Sequence, residues 1–165
     1  KEYAKKAIQL ILESFESSVF SPSKNNKRDM VRAAHLSGCA INLSKTTACH
    51  AMAYPMTSKF GVPHGHAVAI TLGAVAEQLA SSSLKRNTVV ISELFELFDC
   101  NSGREFRNWW TIMMEKVKLS PKLSELGIGF GEIEEVINGV NNQRLQNHPV
   151  SLNKEALRTI LRSCV

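Results

Sequence analysis

No run of apolar residues in this chain reaches the ~18 that a membrane-spanning helix needs. The N-terminus likewise has neither the apolar core nor the cleavage site of a signal peptide. Cysteine is sparse, and Cys39, Cys49, Cys100 and Cys164 form no CxxC pair, which excludes a zinc knuckle and a dithiol redox motif. Three of the four stand among apolar or helix-forming neighbours, as reduced thiols in a cytoplasmic protein would. Paired-carboxylate and GxSxG signatures of hydrolases are absent. A concentrated basic stripe is also missing. The net charge is +5, but its lysines and arginines are scattered, so no nucleic-acid partner is expected.

What remains is a chain of 165 residues, 44% hydrophobic and 21% charged, which suits one globular domain with its own core rather than a disordered tail or a fibre. It opens at Lys1, inside a helical pattern, and so reads as a segment of a longer polypeptide.

Apolar residues at spacings of three and four predict helices over Tyr3 to Phe20 and about Lys27 to Leu43. Ala33, Ala34, Ser37, Gly38 and Ala40 make the second helix narrow enough for close approach. Ser44, Thr46 and Thr47 supply N-cap chemistry for a third helix, Thr47 to Phe60, which Gly61-Val62-Pro63 ends. From His64 to Ala80 the chain is apolar nearly all round and should lie at the centre of a bundle. Ser81-Ser82-Ser83 reads as a loop. Further helices are expected over Thr88–Phe98, Arg104–Val117, Gly131–Val140 and Asn153–Arg162, with a helical turn at Ser120–Leu126 and a turn at Asn147-His148-Pro149. Of the neighbours Trp109 and Trp110, one should be core and one rim, while His35 and His148 read as surface or turn residues. The expected fold is all-α, a bundle of about eight helices, with residues 1–165 as a single domain.

His50 and His64 stand out. They fall on consecutive predicted helices joined by a tight turn, an arrangement able to bring two imidazoles onto one cation. The dipole at the start of a helix disfavours protonated His64 and so helps keep it a ligand. Spacing alone more often marks a pair of core or surface histidines.

The surrounding residues resemble the iron-containing (group III) alcohol dehydrogenase superfamily. Its C-terminal domain carries H-x-x-x-H-x-x-G-x-x-x-x-x-P-H-G-x-x-x-A, matched here by His50, Pro63-His64-Gly65 and Ala69. Leu123-Ser124-Glu125-Leu126-Gly127-Ile128 is similar to the family's L-x-E-L-G-I turn, and Asn147-His148-Pro149 to its late turn before the last helix. The wording from Lys45 to Ala69 looks most like the phosphonoacetaldehyde reductase branch, although an HGxAVA string also occurs in dehydroquinate synthases.

The resemblance implies a divalent metal, Fe2+ or Zn2+, with His50 and His64 as two of its ligands. The other two ligands, and an N-terminal nucleotide-binding domain holding NAD(P), would precede Lys1. Two positions depart from the pattern: Tyr54 replaces the family's second motif histidine, and Thr57 its glycine. Both bear on substrate handling more than on metal binding. Tyr54 shares a helix face with His50 and its hydroxyl could pass a proton. His66, two residues past His64, faces away from the same cation but could line a substrate pocket, and with Tyr54 it is a candidate catalytic residue to contact substrate or relay the proton. The function implied is reduction of a small aldehyde, or oxidation of the alcohol, by the metal-binding domain of an NAD(P)-dependent dehydrogenase, with a homodimer as the expected assembly and no turnover from the isolated segment. A non-catalytic helical interaction module and a metal-dependent lyase relative are the alternatives.

Overall fold

The computed structural model describes residues 1–82 and 85–165, with side chains throughout except at 85–88. Among the described residues there is no strand. The order is α1 (Glu2–Phe20), α2 (Lys24–Ser44), α3 (Ala48–Phe60), α4 (His64–Ala80), α5 (Lys85–Leu97), α6 (Gly103–Lys116), a 3-10 turn (Ser124–Leu126), α7 (Ile133–Gly139), α8 (Asn142–Leu145) and α9 (Lys154–Arg162). No described helix is long and apolar enough to cross a membrane. Of the expected 81–83 loop, Ser83 lies outside the described residues.

The chain divides into two compact units, Lys1–Lys45 and Thr46–Val165. The first is a helical hairpin of α1 and α2. Helix α2 starts three residues earlier than periodicity predicts because Ser23 and Asn26 cap it reciprocally. The Asn26 N–H donates to Ser23 Oγ at 3.2 Å and the Ser23 N–H to Asn26 Oδ1 at 2.8 Å, closing two otherwise open donors. The seam of this hairpin is thin. Ala33 on α2 is fully buried, but Gly38, expected to admit a close neighbour, has nothing near the place a side chain would take.

In the second unit α4 is the central element, packed against α3, α5, α6 and α9. Its neutral, small-residue sequence explains why: Ala67, Ile70, Gly73, Ala74, Val75 and Ala76 are all buried, and together they cover most of its circumference. Helix α3 lies between α4 on one side and α7 and α8 on others, anchored by Met52 and Met56, which are fully buried. The main core joins these to Leu123, Ile128, Ile133, Val136 and Leu161. A second, smaller core gathers Phe95 and Phe106 against Ala76. The tryptophans depart from expectation, since both are half-buried. Trp109 meets Phe98 edge-on, while Trp110 lies against Phe106 and donates its indole N–H to the Ala69 carbonyl. Adjacent rings on one helix can thus both find cover when a second aromatic layer flanks the core.

All four cysteines are free thiols, and Cys49 and Cys164 are buried. Burial pushes the Cys49 thiol up to about 12 and Cys164 upward as well, so neither ionises readily.

Candidate metal centre

Helices α3 and α4 are joined by three residues whose backbone turns the chain sharply. Gly61 takes the left-handed conformation (φ 70°) that closes α3. Its N–H donates to the Thr57 carbonyl and that of Val62 to Met56, satisfying acceptors that a helix end leaves open. Pro63 caps α4 from an extended conformation, one residue ahead of the first-turn position its ring also suits, and makes His64 the first helical residue.

This hairpin brings His50 and His64 together. Their ring centroids are 5.5 Å apart with planes tilted by 60°. Burial, and secondarily the neighbouring His64, holds the His50 ring below the usual histidine range, which favours the neutral imidazole that can act as a ligand. Among the described residues no group of three or more His, Cys, Asp or Glu side chains converges as a metal site. The donor set is therefore two imidazoles, which fit a cation such as zinc or ferrous iron as half of a coordination shell.

Tyr54 follows His50 by one helical turn, and its ring lies 5.2 Å from that of His64. It is 40% exposed and therefore open to a ligand. Its hydroxyl accepts a hydrogen bond from Arg144 Nη1 at 2.7 Å, and the guanidinium carbon stands 4.2 Å from the ring centroid. Arg144 arrives on α8, a single turn capped by Asn141, whose side chain accepts from the N–H groups of Gln143 and Arg144.

His66 is placed differently. One of its ring nitrogens pairs at 2.7 Å with the carbonyl of Ser120, tying the start of α4 to the segment ahead of the 3-10 turn. No ring contact joins it to His50, His64 or Tyr54 among the described residues. His148, expected at the surface or in a turn, does lie in a turn but is buried at 6% exposure, and among the described residues neither ring nitrogen has a hydrogen-bond partner. Its turn folds under α8, whose Leu145 carbonyl accepts from the His148 N–H. His35 is exposed as expected, its ring 3.7 Å from Cys39 Sγ.

A cleft of about 220 Å³ lined by Ile70, Arg107, Trp110, Lys122 and Cys164 includes none of His50, Tyr54, His64 or Arg144. The chemistry-bearing groups occupy an open face instead. Sequence reasoning missed Arg144 entirely, because it lies 90 residues from Tyr54 and nothing local marks it.

The sequence profile described as Fe-containing alcohol dehydrogenase family, C-terminal, matches residues 2–165. Over 53 residues the chain is 47% identical to the phosphonoacetaldehyde reductase of Streptomyces viridochromogenes, a stretch covering 32% of this chain and 13% of that protein. Over 169 aligned residues it is 25% identical to the NADPH-dependent butanol dehydrogenase of Clostridium saccharobutylicum, covering 98% of this chain and 43% of the other. In fold it matches an archaeal halo-thermophilic alcohol dehydrogenase from a Red Sea brine pool with a TM-score of 0.89 at 21% identity, covering 99% of this chain and 44% of that one. The chain thus spans less than half the length of each of these proteins.

Proposed function

The chain belongs to the Fe-containing alcohol dehydrogenase family, as its C-terminal domain, and from that premise we propose that it supplies half of the metal site and the substrate-facing helices of an NAD(P)-linked alcohol dehydrogenase or aldehyde reductase. The observation that carries this reading is the His50–His64 pair, two imidazoles 5.5 Å apart on a helical hairpin. These two would hold a divalent cation, Fe2+ or Zn2+, with the remaining ligands and the nicotinamide site coming from an N-terminal domain of the same polypeptide. When bound, such a cation supplies Lewis-acid polarisation of the substrate oxygen.

The chain's own groups do the rest. The rigid turn at Gly61 to Pro63 fixes the spacing of the two rings. Tyr54 accepts from Arg144, which leaves its own hydroxyl hydrogen free to be given to the oxygen of a reduced aldehyde. His66, already bonded to Ser120, serves to position the first turn of α4. The substrate is a small aldehyde or alcohol. Phosphonoacetaldehyde is the favoured candidate, supported by the 47% identity to the reductase of that name.

The test is made in the intact polypeptide that carries this segment. His50→Ala and His64→Ala should each strip most of the bound iron or zinc, read by elemental mass spectrometry, with helical circular dichroism unchanged. Reduction of phosphonoacetaldehyde with nicotinamide oxidation should vanish with the metal. Full metal content in the double variant would return the histidines to a structural role and the domain to a helical interaction module. Turnover without nicotinamide consumption would favour the lyase relative.

A further inference from the structure

We propose that Arg144 is the specificity-determining residue of this site, binding the acidic headgroup of a short aldehyde; the inference rests on the dehydrogenase reading above and names its substrate class. Three contacts meet here. The guanidinium lies against the Tyr54 ring, the Tyr54 ring lies against His64, and His64 lies against His50, so a fixed positive charge stands one aromatic ring from the imidazole pair.

That charge is uncompensated. Arg32, Arg104, Arg107 and Arg158 each pair with a carboxylate, whereas Arg144 has none among the described residues. Among the described residues its side chain hydrogen-bonds to the Tyr54 hydroxyl. An arginine next to a site for a divalent cation meets like-charge repulsion, which an anion placed between the two would relieve. Donor geometry points the same way. Of the five N–H groups on a guanidinium, one is committed to Tyr54 Oη, and the remaining donors form the fork that matches two oxygens of a phosphonate or sulfonate.

Tyr54 completes the arrangement. The contact over the ring and the hydrogen bond to its hydroxyl hold the guanidinium at two points, so the cation is preorganised on an exposed face rather than waving in solvent. A two-carbon aldehyde with its carbonyl towards the histidines would carry its headgroup to Arg144. Phosphonate and sulfonate share the recognised chemistry, a tetrahedral group with at least two charged or hydrogen-bonding oxygens.

The experiment compares wild type, Arg144→Gln and Arg144→Lys in the intact polypeptide, with phosphonoacetaldehyde, sulfoacetaldehyde and propanal as substrates. The quantity read is the ratio of kcat/KM for each acidic aldehyde to that for propanal. Arg144→Gln should lower this ratio by ~100-fold, mainly through KM, because the lost contact is a charge-assisted fork. Arg144→Lys should recover part of it as a point charge. An equal fall for both acidic substrates assigns the shared tetrahedral headgroup, and a fall for one alone assigns that headgroup. A ratio unchanged for both, with all three aldehydes losing activity together, would overturn the proposal and leave Arg144 as mere support for Tyr54. A wild type that reduces no aldehyde would sink the dehydrogenase reading itself. Arg144 is still decided in that case, by titrating ethylphosphonate with phosphorus NMR: binding to wild type that Arg144→Gln abolishes supports the assignment, and no binding to wild type rejects it.

Discussion

His148 loses its solvent hydrogen bonds on folding and finds none to replace them among the described residues. Both ring nitrogens are buried, and burial holds the imidazole below the usual histidine range. The pH consequence follows from which state binds the proton. Below the ordinary value of 6.5 the unfolded chain takes up a proton that the native ring refuses, so stability falls as pH drops through and below that value. His50 is shifted in the same direction and adds to the loss. His148→Leu keeps an apolar side chain in place and removes the orphaned polar atoms. It should be neutral to stabilising at pH 7.5 and more stable than wild type by about 1 kcal/mol at pH 5.5. Urea unfolding at the two pH values checks this, and a variant with the same pH slope as wild type would show that the ring titrates freely in the native state. Nothing in the sequence marked this residue as buried. A lone histidine before a proline carries no period, and its cover comes from a fold that closes over the turn.

Among the elements, two glycines carry different constraints. At Gly61 there is open space, but φ is 70°, so Gly61→Ala is strained by its backbone alone. At Gly103, the first residue of α6, a side-chain carbon would come within 2.7 Å of the Glu77 backbone on α4. Gly61→Ala should cost about 1 kcal/mol, the penalty for a left-handed residue with a side chain. Gly103→Ala should cost about 1–3 kcal/mol, because two helices must move apart. Urea midpoints measure both. The decisive extra reading is metal retention in the intact polypeptide, which Gly61→Ala should weaken and Gly103→Ala should leave intact, since only the first turn sets the spacing of the histidines. The long helices were legible because periods of three and four recur along each of them, and α4 announced its central place by having almost no charge. Helix α8 was not legible, since four residues complete barely one turn and offer no period to read. Its one local sign was Asn141 as a cap, and that sign is common to many turns.

At the scale of the whole molecule, the candidate site has a local half and a distant half. His50, Tyr54 and His64 fall within one helical hairpin, and motif resemblance was enough to pick them out. Arg144 was invisible because only the packing of α8 on α3 brings it to Tyr54. The same division has a consequence in time. Contacts close in sequence form before those that must close a long loop. The α3–α4 hairpin is therefore expected in the folding nucleus of residues 46–165, and the docking of α8 and α9 after it. Stopped-flow kinetics would check this order. Met52→Ala, in the hairpin, should slow folding, whereas Leu161→Ala, in α9, should chiefly speed unfolding, each costing ~2–5 kcal/mol at equilibrium. The reverse pattern would place the nucleus at the C-terminal helices. In the expected order the imidazole pair is already assembled while the guanidinium is still on a mobile chain, so a nascent polypeptide could capture its cation before it has acquired any means of telling one substrate from another.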